Sequence, residues 1–199
     1  MTVSLALTRL TAEEAPGFDL GAFSCGDPSY DAWLGSCLTQ LRAGSVTVFV
    51  LIEDVDQAPG GSLRPVLGYF ALALTVIKSD DLSKRAAKGQ DEVPAFLLAR
   101  LALSADLRGG ADGKNLLTAA LARMVMASET VPSRLLAVDA ERPKVARLYE
   151  DWGFTATSDI DGDVDPETGR YRKNVRLVAK TSSIRAALPE GSLWTETSG

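Results

Sequence analysis

A chain of 199 residues with 46% hydrophobic content is long enough to bury the core of one ordinary domain. It contains no histidine, which removes the usual base for serine and cysteine nucleophiles and the commonest transition-metal ligand, so acid/base work falls to Tyr, Asp, Glu, Lys or water. A formal net charge of −5 argues against a surface built around a nucleic-acid backbone, although local basic patches remain open.

Val3 to Leu10 alternates apolar and polar residues with the two-residue period of a half-buried strand. Asp27-Pro28 then opens a helix as cap and first residue, with Tyr30, Trp33, Leu34, Cys37 and Leu41 on one face and Gly44 as its stop. Val46 to Ile52 and Pro65 to Ile77 read as two strands of an antiparallel hairpin, separated by the loop Glu53 to Arg64. Ser79 to Glu92 is charged and weakly periodic, a solvated helix or lid whose Lys84, Arg85 and Lys88 form the clearest short basic cluster. Val93 to Leu103 is a buried strand. Gly113 to Ser128 is an amphipathic helix with Leu116, Leu117, Ala120, Leu121, Met124 and Val125 on its apolar face. Leu135 to Val138 is a short buried strand, and Pro143 to Trp152 a helix closed by Gly153. Phe154 and Val175 to Ala179 supply the last strands. Residues 1–180 form one domain, and Thr181 to Gly199 reads as a tail docked through Leu193 and Trp194.

No run of 18 apolar residues is present, and the N-terminus lacks a basic segment followed by an apolar run and a cleavage site, so the expectation is a protein neither membrane-bound nor exported. Cys25 and Cys37 stand alone, without the further cysteines or histidines of a disulfide framework or a zinc site, and fit a reducing cytoplasm. The acidic run from Asp159 to Glu167 differs from a calcium loop. Its Gly162 is fourth rather than sixth, and Arg170 stands where a glutamate is required, so a solvated hairpin loop is the reading and no metal is expected. Trp33 and Trp152 read as packing residues.

Between the strand ending at Leu103 and the helix from Gly113 lies ADLRGGADGK. An apolar strand, a Gly-rich turn with a cation and a helix bind phosphate because free backbone N–H groups at a helix start point at the anion. The turn matches neither a Walker loop nor GxGxxG, and by itself is equally a plain connection.

The following order of motifs narrows this choice. The turn is followed by a strand and by LYEDWGF, and over Val3 to Lys180 the chain resembles the GNAT acyltransferases. FSCGDPSYDAWL, LGYFALA, VPAFLLARLAL and RLYEDWGF further resemble the toxin-like branch that acetylates aminoacyl-tRNA. The resemblance implies an α/β (α+β) fold with a mixed, mostly antiparallel central sheet flanked by helices and splayed at the acyl-CoA site. It implies acetyl-CoA as co-substrate, held by the backbone of Leu101, Ala102 and Leu103 and by the loop Arg108, Gly109, Gly110, Ala111, Asp112, Gly113 and Lys114. Tyr149 takes the family's general-acid position. Arg100 faces either the acceptor or a carboxylate, and Asp139 either orients the amine or, with Glu141, caps the next helix. Ala111 stands in place of a motif glycine, and Asp112 brings a carboxylate to the pyrophosphate loop.

A primary amine is the implied acceptor, whether aminoacyl-tRNA, a small molecule or a peptide. A tRNA face has as its basic candidates Lys84, Arg85 and Lys88, with Arg170, Arg172, Lys173 and Arg176. The resemblance also implies a small antitoxin partner and a homodimer. Ala111 and Asp112 keep a second class open, a catalytically silent binding module of the same fold.

Overall fold

The computed structural model describes residues 4–54, 62–157 and 163–190. In chain order the elements are β1 (Leu5–Leu10), β2 (Phe18–Asp19), α1 (Pro28–Ser36), α2 (Leu38–Arg42), β3 (Thr47–Glu53), β4 (Arg64–Pro65), β5 (Gly68–Lys78), α3 (Lys84–Ala87), β6 (Glu92–Leu103), α4 (Asp112–Thr130), β7 (Leu135–Ala140), α5 (Pro143–Glu150), β8 (Thr155–Ala156), β9 (Val175–Lys180) and α6 (Thr181–Ala187). Seven strands form one sheet in the order β1-β3-β5-β6-β7-β9-β8. The β6–β7 pair is parallel, whereas β1–β3, β3–β5, β7–β9 and β8–β9 are antiparallel. This is the mixed, mostly antiparallel sheet with flanking helices that the sequence implies.

The chain divides into two compact units, with β5, β6 and α4 contributing to both. The first contains β1 to the Ala73 point of β5, together with Arg100–Ala120. Its hairpin forms because Val48 to Ile52 is apolar on both faces and is buried throughout, paired from Leu5↔Glu53 to Leu10↔Val48 on one side and from Thr47↔Leu72 to Leu51↔Gly68 on the other. Ala6, Leu10, Leu34, Cys37, Val50, Tyr69 and Ala102 share its core. Asp27 caps α1 by accepting the Ser29 N–H at 3.1 Å, and Pro28 occupies the first turn, where a missing N–H costs nothing. The single helix expected through Leu41 is instead two, α1 and α2, meeting at Cys37. The Ser36 hydroxyl donates back to the Ala32 and Trp33 carbonyls at 2.9 and 3.2 Å, a bond that bends helices. Gly44, at φ 67°, ends the pair where expected.

The second unit holds Leu74–Ala99 and Leu121–Pro189. Ile77, Val93, Ala95, Leu135, Ala137 and Val178 form a core cluster in it. The parallel register of β6 with β7 runs from Ala95↔Leu135 to Leu98↔Val138 and stops, although β6 continues to Leu103 and β7 to Ala140. Ser79 to Glu92 is not a full helix. It is a 3-10 turn at Ser79–Asp81 followed by the single turn α3, capped by the Ser83 hydroxyl and closed by Lys88 and Gly89 at φ 50° and 75°. Phe154 is a buried core side chain ahead of β8 rather than a strand residue. Thr181 onward does not begin as a tail: α6 buries Ile184 completely and Thr181 nearly so, while Leu193 and Trp194 lie outside the described residues. Across both units the apolar face of α4 is the expected one, with Leu116, Leu117, Ala120, Leu121, Met124 and Val125 all buried.

Candidate acyl-CoA site

At the end of β6 the chain is held against the first unit's loops by backbone bonds, Ser104 N–H to the Leu67 carbonyl at 2.8 Å and Ala105 N–H to that of Ser24 at 3.1 Å. A Cβ on Gly68 would sit 3.1 Å from Leu103 Cδ1 and 3.2 Å from the Ala102 carbonyl, so glycine is what lets β5 lie this close to β6. A 3-10 turn at Ala105–Leu107 delivers the chain to Arg108, and Gly109 at φ 88° reverses it in a conformation that disfavours a side chain. Arg108, Gly109, Gly110 and Ala111 are exposed, and α4 starts at Asp112, whose first N–H groups have no intrahelical acceptor. These features fit a pyrophosphate: exposed glycine backbone leads directly into a helix N-terminus.

Two side chains of the turn have particular placements. The Arg108 guanidinium donates to the Cys25 carbonyl, so it ties the turn to the loop before α1. Asp112 Oδ2 lies 3.7 Å from where a Gly110 Cβ would be, which folds the carboxylate back over the glycines at the positive end of α4. Lys114 is exposed one residue after Gly113. The Arg100 guanidinium stacks over the Tyr30 and Trp33 rings at 5.4 and 5.9 Å, and Trp33 in turn stacks on Tyr69 at 5.6 Å. Trp33 is thus both a packing residue and a platform for Arg100.

In the second unit, Tyr149 lies on α5, 7% exposed, its ring 5.9 Å from Phe154. Burial first, then the charges of Asp139 and Glu141, push its phenol up to about 12 from an ordinary 10.0. The hydroxyl makes no hydrogen bond among the described residues, and no fully enclosed side-chain polar atom there is left unpaired, so its tip reaches solvent. A phenol that stays protonated and has no competing partner is equipped to donate.

No family model matches the chain. The tRNA-acetylating toxin of Mycobacterium tuberculosis is 30% identical over 138 residues, spanning 68% of this chain and 78% of that protein. The chain belongs to the tRNA-acetylating toxin family of GNAT acetyltransferases. Its fold matches AtaT complexed with acetyl-methionyl-tRNAfMet, at TM-score 0.72 and 24% identity, covering 94% of this chain and 100% of that one. It also matches a tyrosine-to-phenylalanine mutant of AtaT bound to acetyl-CoA and the C-terminus of the antitoxin AtaR, at TM-score 0.68 and 22% identity, covering 94% and 99%.

Several acidic and basic side chains of this chain are paired in ways that sequence reasoning did not foresee. Asp139 does not cap α5, whose N-cap is Arg142 without a side-chain bond. Instead it accepts two bonds from Arg176, 2.6 and 2.7 Å, and Arg176 also donates to the Thr75 hydroxyl at 3.1 Å. Glu141 likewise pairs with Arg170 at 2.8 Å, and Arg172 with Asp163 at 2.8 Å. Three of the four cations expected to face tRNA from this segment are therefore spent on carboxylates. Asp139, Arg176, Lys173, Asn174 and Thr157 line a cleft of about 620 Å³ with Val76 on its apolar side. In the acidic run, the Asp165 carboxylate accepts the Glu167 and Thr168 N–H groups at 2.8 and 3.3 Å, while Asp159 and Asp161 lie outside the described residues. No described helix is long and apolar enough to cross a membrane.

Proposed function

We propose that this chain transfers the acetyl group of acetyl-CoA to the α-amino group of an aminoacyl-tRNA, acting in the cytoplasm as a toxin restrained by a small antitoxin. The observation that carries acyl transfer is Tyr149: a buried phenol without a hydrogen-bond partner among the described residues, held protonated up to about 12. The acceptor rests on the 30% identity to the tRNA-acetylating toxin.

Bound acetyl-CoA supplies an activated thioester. The open backbone of Gly109 and Gly110 and the first N–H groups of α4 receive its pyrophosphate, with the backbone of Leu101, Ala102 and Leu103 along its pantetheine arm. Tyr149 gives a proton to the sulfur as the C–S bond breaks and the C–N bond forms, and the phenolate is then reprotonated from water. Asp139, fixed by Arg176, offers a carboxylate oxygen to an amine that enters the cleft. No carboxylate occurs within Arg100 to Leu103, so the amine either attacks already neutral or loses its proton to water.

The test is acetyl transfer from labelled acetyl-CoA to charged tRNA and to a panel of small amines and peptides, with Tyr149→Phe as control. Label in small amines but not in charged tRNA overturns the acceptor. No thioester consumption with any amine leaves the catalytically silent module.

A further inference from the structure

A second cavity of about 550 Å³ lies wholly in the second unit, lined by Lys88, Arg134, Lys180, Arg185, Ser133 and Ser182 among others. Four basic residues and four hydroxyl-bearing ones, Ser128, Ser133, Thr181 and Ser182, thus line one pocket of a chain whose net charge is −5. Of the cations, Arg185 is paired with Glu129 at 2.8 Å. Arg134 donates to neutral acceptors, the Gln90 side chain at 2.9 Å and the Ala86 carbonyl at 3.4 Å, which fixes its guanidinium without cancelling its charge. Lys88 and Lys180 have no ion-pair partner among the described residues.

The backbone adds an independent observation. Lys88 closes α3 in the left-handed region, φ 50° and ψ 37°, the one described residue other than glycine with positive φ. Glycine is the residue that suits such a helix end, and a β-carbon there is disfavoured. A lysine at a strained backbone position, in a residue that lines the cavity, points to a task for its side chain.

We propose that this cavity is a phosphate-binding site, taking a backbone phosphodiester of RNA or a free phosphate. It goes beyond the reading of acetyl transfer, and holds whichever amine is the acceptor. Lys180 pairs in register with Leu135, at the start of β7, whereas Asp139 stands four residues further along, about 13 Å at strand rise. The pocket is thus separate from the cleft at Asp139. It also relocates the basic face: of the cations singled out in the sequence, Lys88 lines the cavity, and three not singled out there, Arg134, Lys180 and Arg185, come together through β7, β9 and α6.

The test compares wild type with Lys88→Gly/Lys180→Thr, using an uncharged short RNA duplex and, separately, inorganic phosphate as probes. Lys88→Gly relieves the backbone, so the single variant should melt no lower than wild type. The double variant should bind the duplex about tenfold more weakly at low salt, with the slope of log affinity against log salt reduced by about one to two. Duplex binding that depends on these lysines assigns the site to the RNA backbone. A phosphate-induced rise in melting temperature, present in wild type and lost in the variant, assigns it to a small phosphate. If neither probe separates the two proteins, the proposal is overturned. Transfer to a small amine, which needs no contact with this cavity, is measured in parallel and should be unchanged, so failure here is distinct from failure of the catalytic reading.

Discussion

Replacing Tyr149 by Phe separates a catalytic hydroxyl from a structural one with unusual clarity. A buried tyrosine whose hydroxyl is hydrogen-bonded loses about 0.5–1.5 kcal/mol on conversion to Phe. Tyr149 has no such bond among the described residues, so its stability at neutral pH should change by less than about 0.5 kcal/mol. The alkaline limb should differ. The folded phenol titrates at about 12 and the unfolded one near 10.0, so both are protonated at pH 7 and the group contributes no difference there. As pH rises past 10, the unfolded chain ionises first and is favoured. At about pH 11 wild type should lose about 1.4 kcal/mol through this group alone, a loss that Tyr149→Phe escapes. Tyr69 and Cys25 are also shifted upward by burial, but both remain in the variant, so the difference between the two denaturant curves isolates Tyr149. In catalysis the expected loss in kcat is about a hundredfold, toward the lower end for general acids, because a thiolate of ordinary pKa near 8.5 leaves with limited help. Acetyl-CoA affinity, measured by calorimetry, should be unaltered. Turnover within about threefold of wild type would refute the role, since loss of a transition-state proton donor must lower kcat.

Asp112→Asn should tighten acetyl-CoA several-fold, because it removes a carboxylate from beside the pyrophosphate turn; it should also cost the α4 terminus about 0.3–1 kcal/mol of dipole stabilisation, read by denaturant melts. Unchanged affinity would place the Asp112 charge outside the anion's field. Arg108→Ala removes the tie to the Cys25 carbonyl, and acetyl-CoA affinity should fall; calorimetry equal to wild type would count against any part for Arg108 in phosphate binding. A double-mutant cycle of Asp139→Asn and Arg176→Met should show a coupling of about 1–2 kcal/mol, as expected for a bidentate, partly buried pair, and Asp139→Asn should bring the Tyr149 phenol down, seen as phenolate absorbance at lower pH. Arg100→Met should lower stability by about 0.5–2 kcal/mol through lost stacking on Tyr30 and Trp33, while acetyl transfer to a small amine is retained.

What could be read in the sequence was whatever is written locally. The run Val48 to Ile52, the period of α4, the cap at Asp27 and the turn from Arg108 to Lys114 each declare themselves within one window of residues. The break at Cys37 was less visible because Ser36 fits a helix equally well until its hydroxyl bonds backward. The ion pairs were invisible for a different reason. Asp139 and Arg176 are 37 positions apart and become neighbours through the antiparallel register of β7 with β9, which the pattern of a single strand does not specify.

The same limit explains why the basic face moved. Counting Lys and Arg along the chain picked out Lys84, Arg85 and Lys88 together with Arg170 to Arg176, yet charge acts at a surface only as far as its neighbours leave it uncompensated. Arg170, Arg172 and Arg176 each meet a carboxylate within 2.8 Å, whereas Lys88 and Lys180 meet none among the described residues. A pair of opposite charges at such separation presents a dipole, whose field falls off faster with distance than that of a lone cation, and both are largely screened beyond a Debye length of about 8 Å in physiological salt. Net charge of −5 therefore does not forbid a polyanionic partner. The deciding quantity is the local excess at one cavity, and at the Leu135 end of β7 four basic residues line one cavity while one of them, Arg185, is paired with a carboxylate.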